Sequence, residues 1–283
     1  SLSLQSKRWQ VAPPVSAEVL ARFPDLQPLV VQLLYNRKIR DPGEARDFLQ
    51  GQTPGHSPFE LKGMYQAVER LLEAVRSGES IAVYGDFDTD GVTATALLVQ
   101  TLSALGAQVR PYIPSRVDEG YGLTIGALRK LYRQGVRLVV TVDCGIRSID
   151  EVEQASRGLD LIVTDHHTVG DELPPALAVI NPKQPGCIYP YDDLAGVGVA
   201  YKLAQGLLLA QKRLKETPKL VAEDLLDLVA LGTVADLAPL RGENRELVRR
   251  GLEKLGESPR PGVEALMADA GLRRGSVDAS AIG

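Results

Sequence analysis

The feature that most constrains the fold is a series of short apolar segments, rich in β-branched residues, that alternate with helical segments. SIAVYG (80–85), VRPYIP (109–114), VRLVVTVD (136–143) and LDLIVTD (159–165) are followed by a shorter apolar stretch at 178–181. Continuously apolar strands that alternate with helices are typical of βαβ units, whose parallel sheet is buried on both faces. The sequence therefore predicts an α/β fold with a mostly parallel sheet flanked by helices.

Helical segments flank this alternation on both sides. Before it, Asp41 is a candidate N-cap for a helix in DPGEARDFL. Three helical patterns follow the last strand, and the final stretch, GSVDASAIG, is predicted to be a loop. We predict three parts: an N-terminal helical segment at 1–60, the α/β domain at 61–240 and a helical extension at 241–283.

Composition restricts the class of protein. The 283 residues carry 32 Lys+Arg and 36 Asp+Glu, a formal net charge of −4, which argues against a basic, charge-driven nucleic-acid binder. No apolar run approaches the roughly 18–20 residues that cross a bilayer, so no membrane contact is expected. Two cysteines, Cys144 and Cys187, cannot form a disulfide framework, which favours a reducing cytoplasm.

Acidic and imidazole side chains end three of the predicted strands. A D-x-D-x-D turn follows the first strand, D-C-G ends the third, and D-H-H ends the fourth. In parallel sheets the carboxyl ends of the strands share one edge, where ligands bind. A later apolar segment, VALGTVADLAPL, adds one more acid. The candidate side chains are Asp86, Asp88, Asp90, Asp143, Asp165, His166, His167 and Asp236.

Carboxylates crowded in this way repel one another unless cations lie between them. Carboxylate oxygens with one or two imidazoles suit Mn²⁺ and tolerate Mg²⁺. Two such ions, roughly 3.5–4 Å apart, can activate a water and stabilise the leaving oxygen of a phosphoester. The pattern therefore predicts hydrolysis of a bond to phosphorus at a two-metal site.

Each motif has a simpler explanation when it is taken alone. D-x-D-x-D-G also occurs in solvated turns and calcium loops, but a calcium loop needs Glu where this chain has Leu97. Asp143 could cap a helix, Asp236 could cap one or pair with Arg241, and an HH pair is often structural. Cys144 is more simply a small packed side chain. The joint occurrence of the motifs at successive strand ends favours the metal site.

Four stretches in order resemble the motifs of the DHH phosphoesterase superfamily: GDFDTDGVTATALL, VTVDCGI, VTDHH and LGTVADLAPL. Flanking stretches such as YIPSRVDEGYGL and LAGVGVAYKLAQ are similar to the RecJ-like single-strand-specific exonucleases within it. The resemblance runs from about Trp9 to about Leu255. It implies that 61–240 is a DHH catalytic domain. The implied activity is 5′ to 3′ hydrolysis of single-stranded DNA in recombination and repair, with two Mn²⁺ or Mg²⁺ ions.

The resemblance also implies roles for single residues. The metal ligands would be Asp86, Asp88, Asp90, Asp143, His166 and Asp236, with Asp143 between the ions, and which first-motif acids bind metal stays open. The catalytic residues would be Asp88, Asp143, His166 and His167. His167 would be either a ligand or a phosphate contact and acid. Asp165 would orient His166 from behind.

Basic, aromatic and glycine residues beside the motifs are candidates for contacts with DNA. A basic side chain can neutralise a phosphate and an aromatic ring can stack on a base. The GVG stretch precedes a helix, whose free N–H groups favour a phosphate, and helix capping is the equal alternative. The candidates are Arg116, Tyr121, Lys183, Gly196 and Gly198.

The chain departs from the pattern of the resemblance in two ways. Tyr84 stands where many superfamily members have a histidine. RecJ-like enzymes also continue into a second domain and an OB-fold that these 283 residues lack. We therefore expect a catalytic core that binds metal but cleaves DNA poorly by itself, with repair or replication proteins as further partners.

Two other functions compete with this one. The first is a DHH phosphoesterase of small substrates, such as oligonucleotides, cyclic dinucleotides or pyrophosphate. The second is an inactive RecJ-like scaffold, whose expected mark is the loss of ligands. The sequence argues against the scaffold, because it retains Asp88, Asp143, His166 and Asp236.

Overall fold

The computed structural model describes residues 10–51, 55–115, 122–213, 220–257, 260–273 and 275–283. The chain divides into two compact units, Ser1–Thr53 and Pro54–Gly283. The three-part division predicted from the sequence stays a prediction. No described helix is both long enough and apolar enough to cross a bilayer.

Within residues 10–51, the described part of the first unit, there are three helices, α1 (Ala17–Ala21), α2 (Pro28–Asn36) and α3 (Pro42–Gln50). α3 begins as the sequence predicts, because one Asp41 carboxylate oxygen accepts hydrogen bonds from the N–H groups of Gly43 and Glu44, at 2.8 and 3.0 Å. Such a cap satisfies N–H groups that the helix itself leaves without partners. Apolar side chains from all three helices form a separate core.

The second unit is built on a five-stranded sheet in the order β2-β1-β3-β4-β5, and every neighbouring pair is parallel. The chain builds outward from β1 to β2, then continues on the other side of β1 with β3. In such sheets a crevice opens where the strand order reverses, beyond the carboxyl ends of the strands. The strands are β1 (Ser80–Gly85), β2 (Gln108–Tyr112), β3 (Leu138–Val142), β4 (Asp160–Thr164) and β5 (Ala178–Ile180).

Helices cover both faces of the sheet. One face packs on α4, α5, α8 and α9 through a large apolar core, and the other packs on α6 and α7. In β3, Val140 points into the first core and Val139 into the second. The helices are α4 (Met64–Ser77), α5 (Thr89–Ala104), α6 (Ile125–Arg133), α7 (Ile149–Ala155), α8 (Gly196–Arg213), α9 (Leu226–Ala235), α10 (Gly242–Glu257), α11 (Pro261–Asp269) and α12 (Ala279–Ile282), with short 3₁₀ turns at Pro58–Glu60 and Ala222–Leu225.

The fold class predicted from the sequence is confirmed, including the helices before and after the sheet. The predicted strands over-extend where Asp143 and Asp165 leave the sheet, because these residues belong to the loops beyond its edge. The prediction of a terminal loop is wrong at α12, where the Asp278 carboxylate accepts a hydrogen bond from the N–H of Ala281 at 2.9 Å and caps a last helical turn.

Candidate active site

The predicted acidic and histidine side chains meet at the carboxyl edge of the sheet. Loops after β1, β3 and β4 carry six of them, the first turn of α5 carries Asp90, and Asp236 follows the last residue of α9. Three groups have ligand atoms within 4.8 Å of one another, and the groups share members: Asp143 with His166 and His167; Asp90 with His166 and Asp236; Asp86 with Asp88 and Asp143.

Asp143 lies at the centre of this cluster and belongs to two of the three groups. Its side chain is 2% exposed, and its Oδ1 lies 3.1 Å from Nε2 of His166. Both atoms are buried and neither has a hydrogen-bond partner within the described part of the chain. Its φ of 60° places the residue in the left-handed region, which aspartate tolerates better than most residues do. Two buried, unsatisfied ligand atoms side by side fit a bound cation.

Asp90 is held by a helix from another part of the chain. Its Oδ2 accepts the N–H of Gly196 and its Oδ1 accepts the N–H of Val197, both at 2.7 Å. These groups form the start of α8, where the helix dipole favours a negative charge. The N–H groups that were candidates for binding a phosphate therefore donate to Asp90. Oδ2 of Asp90 also lies 3.8 Å from Nε2 of His166.

Gly196 also allows Asp143 to approach the backbone of α8. A Cβ atom at this position would lie 2.6 Å from Oδ1 of Asp143, closer than real Cβ contacts come. Gly198 has no comparable contact with the site, since a Cβ there would meet Leu194 at 3.3 Å. The role of Gly196 in close packing was not predicted from the sequence, although the GVG stretch marks the position.

Asp86 and Asp88 form the opposite side of the cluster. Asp86 is buried and accepts the N–H of Phe87 at 2.7 Å, whereas Asp88 is exposed and caps α5 by accepting the N–H of Gly91 at 2.9 Å. Together with Asp143, these two acids make up one of the three groups of ligand atoms. Within the D-x-D-x-D turn, the first two acids thus group with Asp143, and the third groups with His166 and Asp236.

The D-H-H turn is organised around Asp165, which is 1% exposed. Its Oδ2 accepts the N–H of Ile146 at 2.9 Å, and its Oδ1 lies 2.7 Å from Nδ1 of His167. The expectation that Asp165 orients the ring of His166 is wrong, since only the backbone N–H of His166 reaches it. Residues two apart in an extended turn lie on the same side, so the ring of His167 is the one within reach.

The chain around the two histidines is held by two further side chains. Lys183 donates from Nζ to the carbonyl of His166 at 2.7 Å, and Asn181 donates from Nδ2 to the carbonyl of His167 at 3.0 Å. Lys183 therefore lies beside the site, and Asn181 was not predicted. Arg116 and Tyr121, the other basic and aromatic candidates, lie outside the described residues.

Asp236 reaches the site from the end of α9. Its side chain is 24% exposed, and its Oδ2 lies 3.9 Å from Nδ1 of His166. The alternative that it pairs with Arg241 finds no support, since the described residues show no ion pair between the two. Tyr84 does not take the place of a histidine ligand. It is fully buried, donates its hydroxyl to the carbonyl of Gly122 at 2.9 Å and stacks on Tyr112.

The cluster strongly favours protons or cations. Burial first, and then the charges of Asp88 and Asp165, raise the pKa of Asp143 to about 9. Burial and the charge of Asp143 raise the pKa of Asp90 to about 8. The hydrogen bond with Asp165 raises the pKa of His167 to about 9. Acids with such values hold protons at neutral pH unless another positive charge replaces them.

A sequence model described as the DHH family, N-terminal domain, matches residues 80–233, which contain the whole sheet and seven of the eight clustered side chains. The chain belongs to the DHH family. Its similarity to DHH proteins also extends beyond the matched domain. It is 43% identical over 280 residues to the single-stranded-DNA-specific exonuclease RecJ of Bacillus subtilis, covering 98% of this chain and 34% of that protein. It is 41% identical over 269 residues to RecJ of Escherichia coli, covering 92% and 46%.

Solved structures of DHH proteins agree with the fold. An exonuclease RecJ bound to manganese superimposes with a TM-score of 0.70 at 38% identity, covering 81% of this chain and 56% of that one. RecJ of Thermus thermophilus in complex with Mn²⁺ superimposes with a TM-score of 0.73 at 34% identity, covering 94% and 36%. By sequence, the chain spans 34% of the length of RecJ of Bacillus subtilis and 46% of the length of RecJ of Escherichia coli.

Proposed function

We propose that this DHH protein is the catalytic core of a metal-dependent exonuclease that hydrolyses phosphodiester bonds in single-stranded DNA from the 5′ end. The observation that carries the proposal is the position of Asp143, which is shared by two groups of ligand atoms and has a buried, unsatisfied oxygen. The names of the relatives supply the substrate, and the resemblance supplies the polarity.

The donor set fits two Mn²⁺ or Mg²⁺ ions, because these ions take carboxylate oxygens and Mn²⁺ also accepts imidazole. One ion would be held by Asp90, His166 and Asp236, and the other by Asp86 and Asp88. Asp143 would serve both, because it groups with Asp86 and Asp88 and its Oδ1 lies 3.1 Å from Nε2 of His166. The hydrogen bonds from α8 do not exclude Asp90, since a carboxylate has about four lone-pair sites. The pair of ions supplies a nucleophilic water and neutralises charge on the phosphate.

His167 is the residue we assign to proton transfer and phosphate contact, rather than to metal binding. Its Nδ1 is engaged by Asp165, which leaves Nε2 for the substrate, and its side chain is 45% exposed. The hydrogen bond to Asp165 raises the pKa of the ring to about 9 in the metal-free chain, so His167 is suited to carry a proton. A protonated imidazole can donate to a phosphate oxygen and then to the leaving oxygen.

For substrate binding we propose Lys183 as a cation beside the site, with Arg116 and Tyr121, which lie outside the described residues, as further contacts. Gly196 takes a different role, because its N–H donates to Asp90; with Gly198 it forms the tight start of the helix that holds this acid. A DNA substrate agrees with the cytoplasmic location predicted from cysteine usage and with repair or replication proteins as partners.

The test is Mn²⁺-dependent release of mononucleotides from long single strands labelled at either end. We expect release from the 5′ end, at a slow rate for this chain, and none from duplex DNA or after chelation of the metal. Release from dinucleotides with none from long strands would instead support a small-substrate phosphoesterase. Metal binding without hydrolysis of either substrate would support the inactive scaffold.

A further inference from the structure

A second group of buried charged side chains lies outside the carboxylate cluster. It includes none of the residues assigned to metal or substrate. Lys202 of α8 and Glu243 of α10 form an ion pair whose side chains are 2% and 1% exposed. The Tyr189 hydroxyl donates to the second Glu243 oxygen, and Lys202 Nζ also donates to the carbonyl of His56 at 3.0 Å. We call Lys202, Glu243 and Tyr189 the buried clamp.

The clamp is a costly way to join helices. Apolar side chains of similar size often stabilise a core as well as a buried ion pair does, whereas removal of one partner leaves a buried, unpaired charge. Burial, followed by the charge of Glu243, raises the pKa of Tyr189, so its hydroxyl remains a donor. The two Glu243 oxygens contact different partners, so the clamp joins α8, α10 and the segment before α8.

The clamp fixes the point where the connector from α9 to α10 ends. This connector, residues 236–241, begins with Asp236. Tyr191 donates its hydroxyl to the carbonyl of Pro239 at 3.3 Å, and Asn244, next to Glu243, donates to the same carbonyl at 3.2 Å. The connector is thus bound to the segment before α8 and to the first turn of α10.

The near half of the connector is held by α9, because the N–H groups of Asp236 and Leu237 donate to the carbonyls of Gly232 and Val234, at 2.9 and 3.1 Å. Leu237, directly after Asp236, has a left-handed φ of 59° and is 83% exposed. The chain therefore reverses immediately after the acid without burying the next side chain. Asp236 is thus held by α9 at the near end of the connector, and the clamp holds the far end, where α10 begins.

We propose that the buried clamp positions Asp236 for metal binding, an inference that rests on the proposed function. Lys202, Glu243 and Tyr189 are positioning residues in this view, since none of them reaches the ligand atoms.

The test measures Mn²⁺ affinity of the full 283-residue chain from the electron paramagnetic resonance signal of free Mn²⁺. We expect Glu243→Gln to weaken binding about tenfold, as changes to residues that support metal ligands commonly do. Tyr189→Phe is expected to cost about threefold, because it removes one hydrogen bond and keeps the ion pair. Tyr189→Phe also keeps the test decisive if Glu243→Gln does not fold.

The matched control is Asp227→Asn. Asp227 is also buried and also forms an ion pair, with Arg260, but at the opposite end of α9 from Asp236. Both Asp227→Asn and Glu243→Gln are expected to lower the urea midpoint, and only Glu243→Gln is expected to weaken Mn²⁺ binding. Equal weakening by the two variants would mean that general stability is responsible, which overturns the inference.

A double-mutant cycle makes the test specific to Asp236. If the clamp acts through this acid, Glu243→Gln adds no further loss of Mn²⁺ affinity to Asp236→Ala, although its loss of stability remains. Additive losses would overturn the inference and leave the proposed function standing. Wild-type affinity in both Glu243→Gln and Tyr189→Phe would do the same. Failure of the wild-type chain to bind Mn²⁺ would instead overturn the proposed function.

Discussion

Glu243 and Asp143 are equally buried acids, at 2% exposure each, and they are neutralised in different ways. Glu243 meets the ammonium of Lys202 and the hydroxyl of Tyr189. Asp143 forms no ion pair with any lysine or arginine of the described residues, and its surroundings are other carboxylates and two histidines. Lys202 supplies a permanent cation at the first position, whereas the described residues supply no lysine or arginine at the second.

This difference separates structural from functional charge. A buried charge without a partner costs several kcal/mol, so it persists only where something else compensates it. At Glu243 the compensation is internal and permanent. At Asp143 it comes from protons, as its raised pKa shows, or from ions taken up from solution.

The largest expected effect is that of Asp143→Asn, which keeps the size and backbone preference of the residue and removes its charge. We expect Mn²⁺-dependent hydrolysis of single-stranded DNA to fall on the order of a thousandfold, because both groups of ligands lose their shared member. The measurement is nucleotide release under saturating DNA, with circular dichroism to check the fold. Asp171→Asn, an exposed acid in the loop after β4, is the control and should retain activity. Full activity in Asp143→Asn would place the chemistry elsewhere.

The next effect is stabilisation by metal. At a Mn²⁺ concentration about one hundred times the dissociation constant, binding to the folded state adds about 2.7 kcal/mol to the free energy of unfolding. Urea denaturation with and without Mn²⁺ measures it. Asp143→Asn should lose most of this gain at the same concentration. An unchanged midpoint in the wild-type chain would show that the buried acids are not compensated by ions.

A smaller effect is expected from Gly196→Ala. The new Cβ atom would displace the Asp143 carboxylate, so we expect about a tenfold loss of Mn²⁺ affinity, in the range seen when residues around metal ligands are changed. Gly198→Ala, two residues further along α8, serves as the matched variant and should bind Mn²⁺ normally. Equal affinities in the two variants would contradict the close contact.

The last expected effect concerns the stability of the metal-free chain and not its activity or its affinity for metal: this stability depends on pH. Asp90 and Asp143 have folded pKa values of about 8 and 9, above the ordinary value of 3.8, so the folded state binds more protons than the unfolded state between these limits. Raising the pH from about 5 to about 9 therefore favours unfolding. The raised pKa of His167 acts in the same direction above pH 6.5. Urea midpoints across this range should fall for the wild type and fall less for Asp143→Asn; equal slopes would argue against a raised pKa at Asp143.

The sheet could be predicted because each strand carries its own signal. SIAVYG is apolar along its length and is followed by a turn and a helix, and this local pattern suffices for a parallel strand. The same logic placed the acids together, since parallel strands end at one edge. The strand order β2-β1-β3 was not predicted, because it depends on contacts such as that of Ile81 with Leu138, which are far apart in the chain.

The partners of the buried charges could not be predicted for a related reason. Lysine and glutamate are almost always exposed, and nothing in the neighbourhood of Lys202 or Glu243 indicates that they meet across two helices. The bond from Gly196 to Asp90 joins residues 106 positions apart and is equally invisible in the local pattern. The helix at 279–282 was missed because a single turn is too short to show a period.

The left-handed backbone at Asp143 gives this position a second constraint, independent of its charge. With φ at 60°, most side chains would add strain of about 1–2 kcal/mol, whereas glycine, asparagine and aspartate adopt this conformation readily. Of the residues that adopt this conformation readily, only aspartate carries a negative charge. The backbone conformation and the negative charge thus favour the same amino acid. Substitution by glutamate, usually a conservative exchange, would lengthen the side chain and strain the backbone.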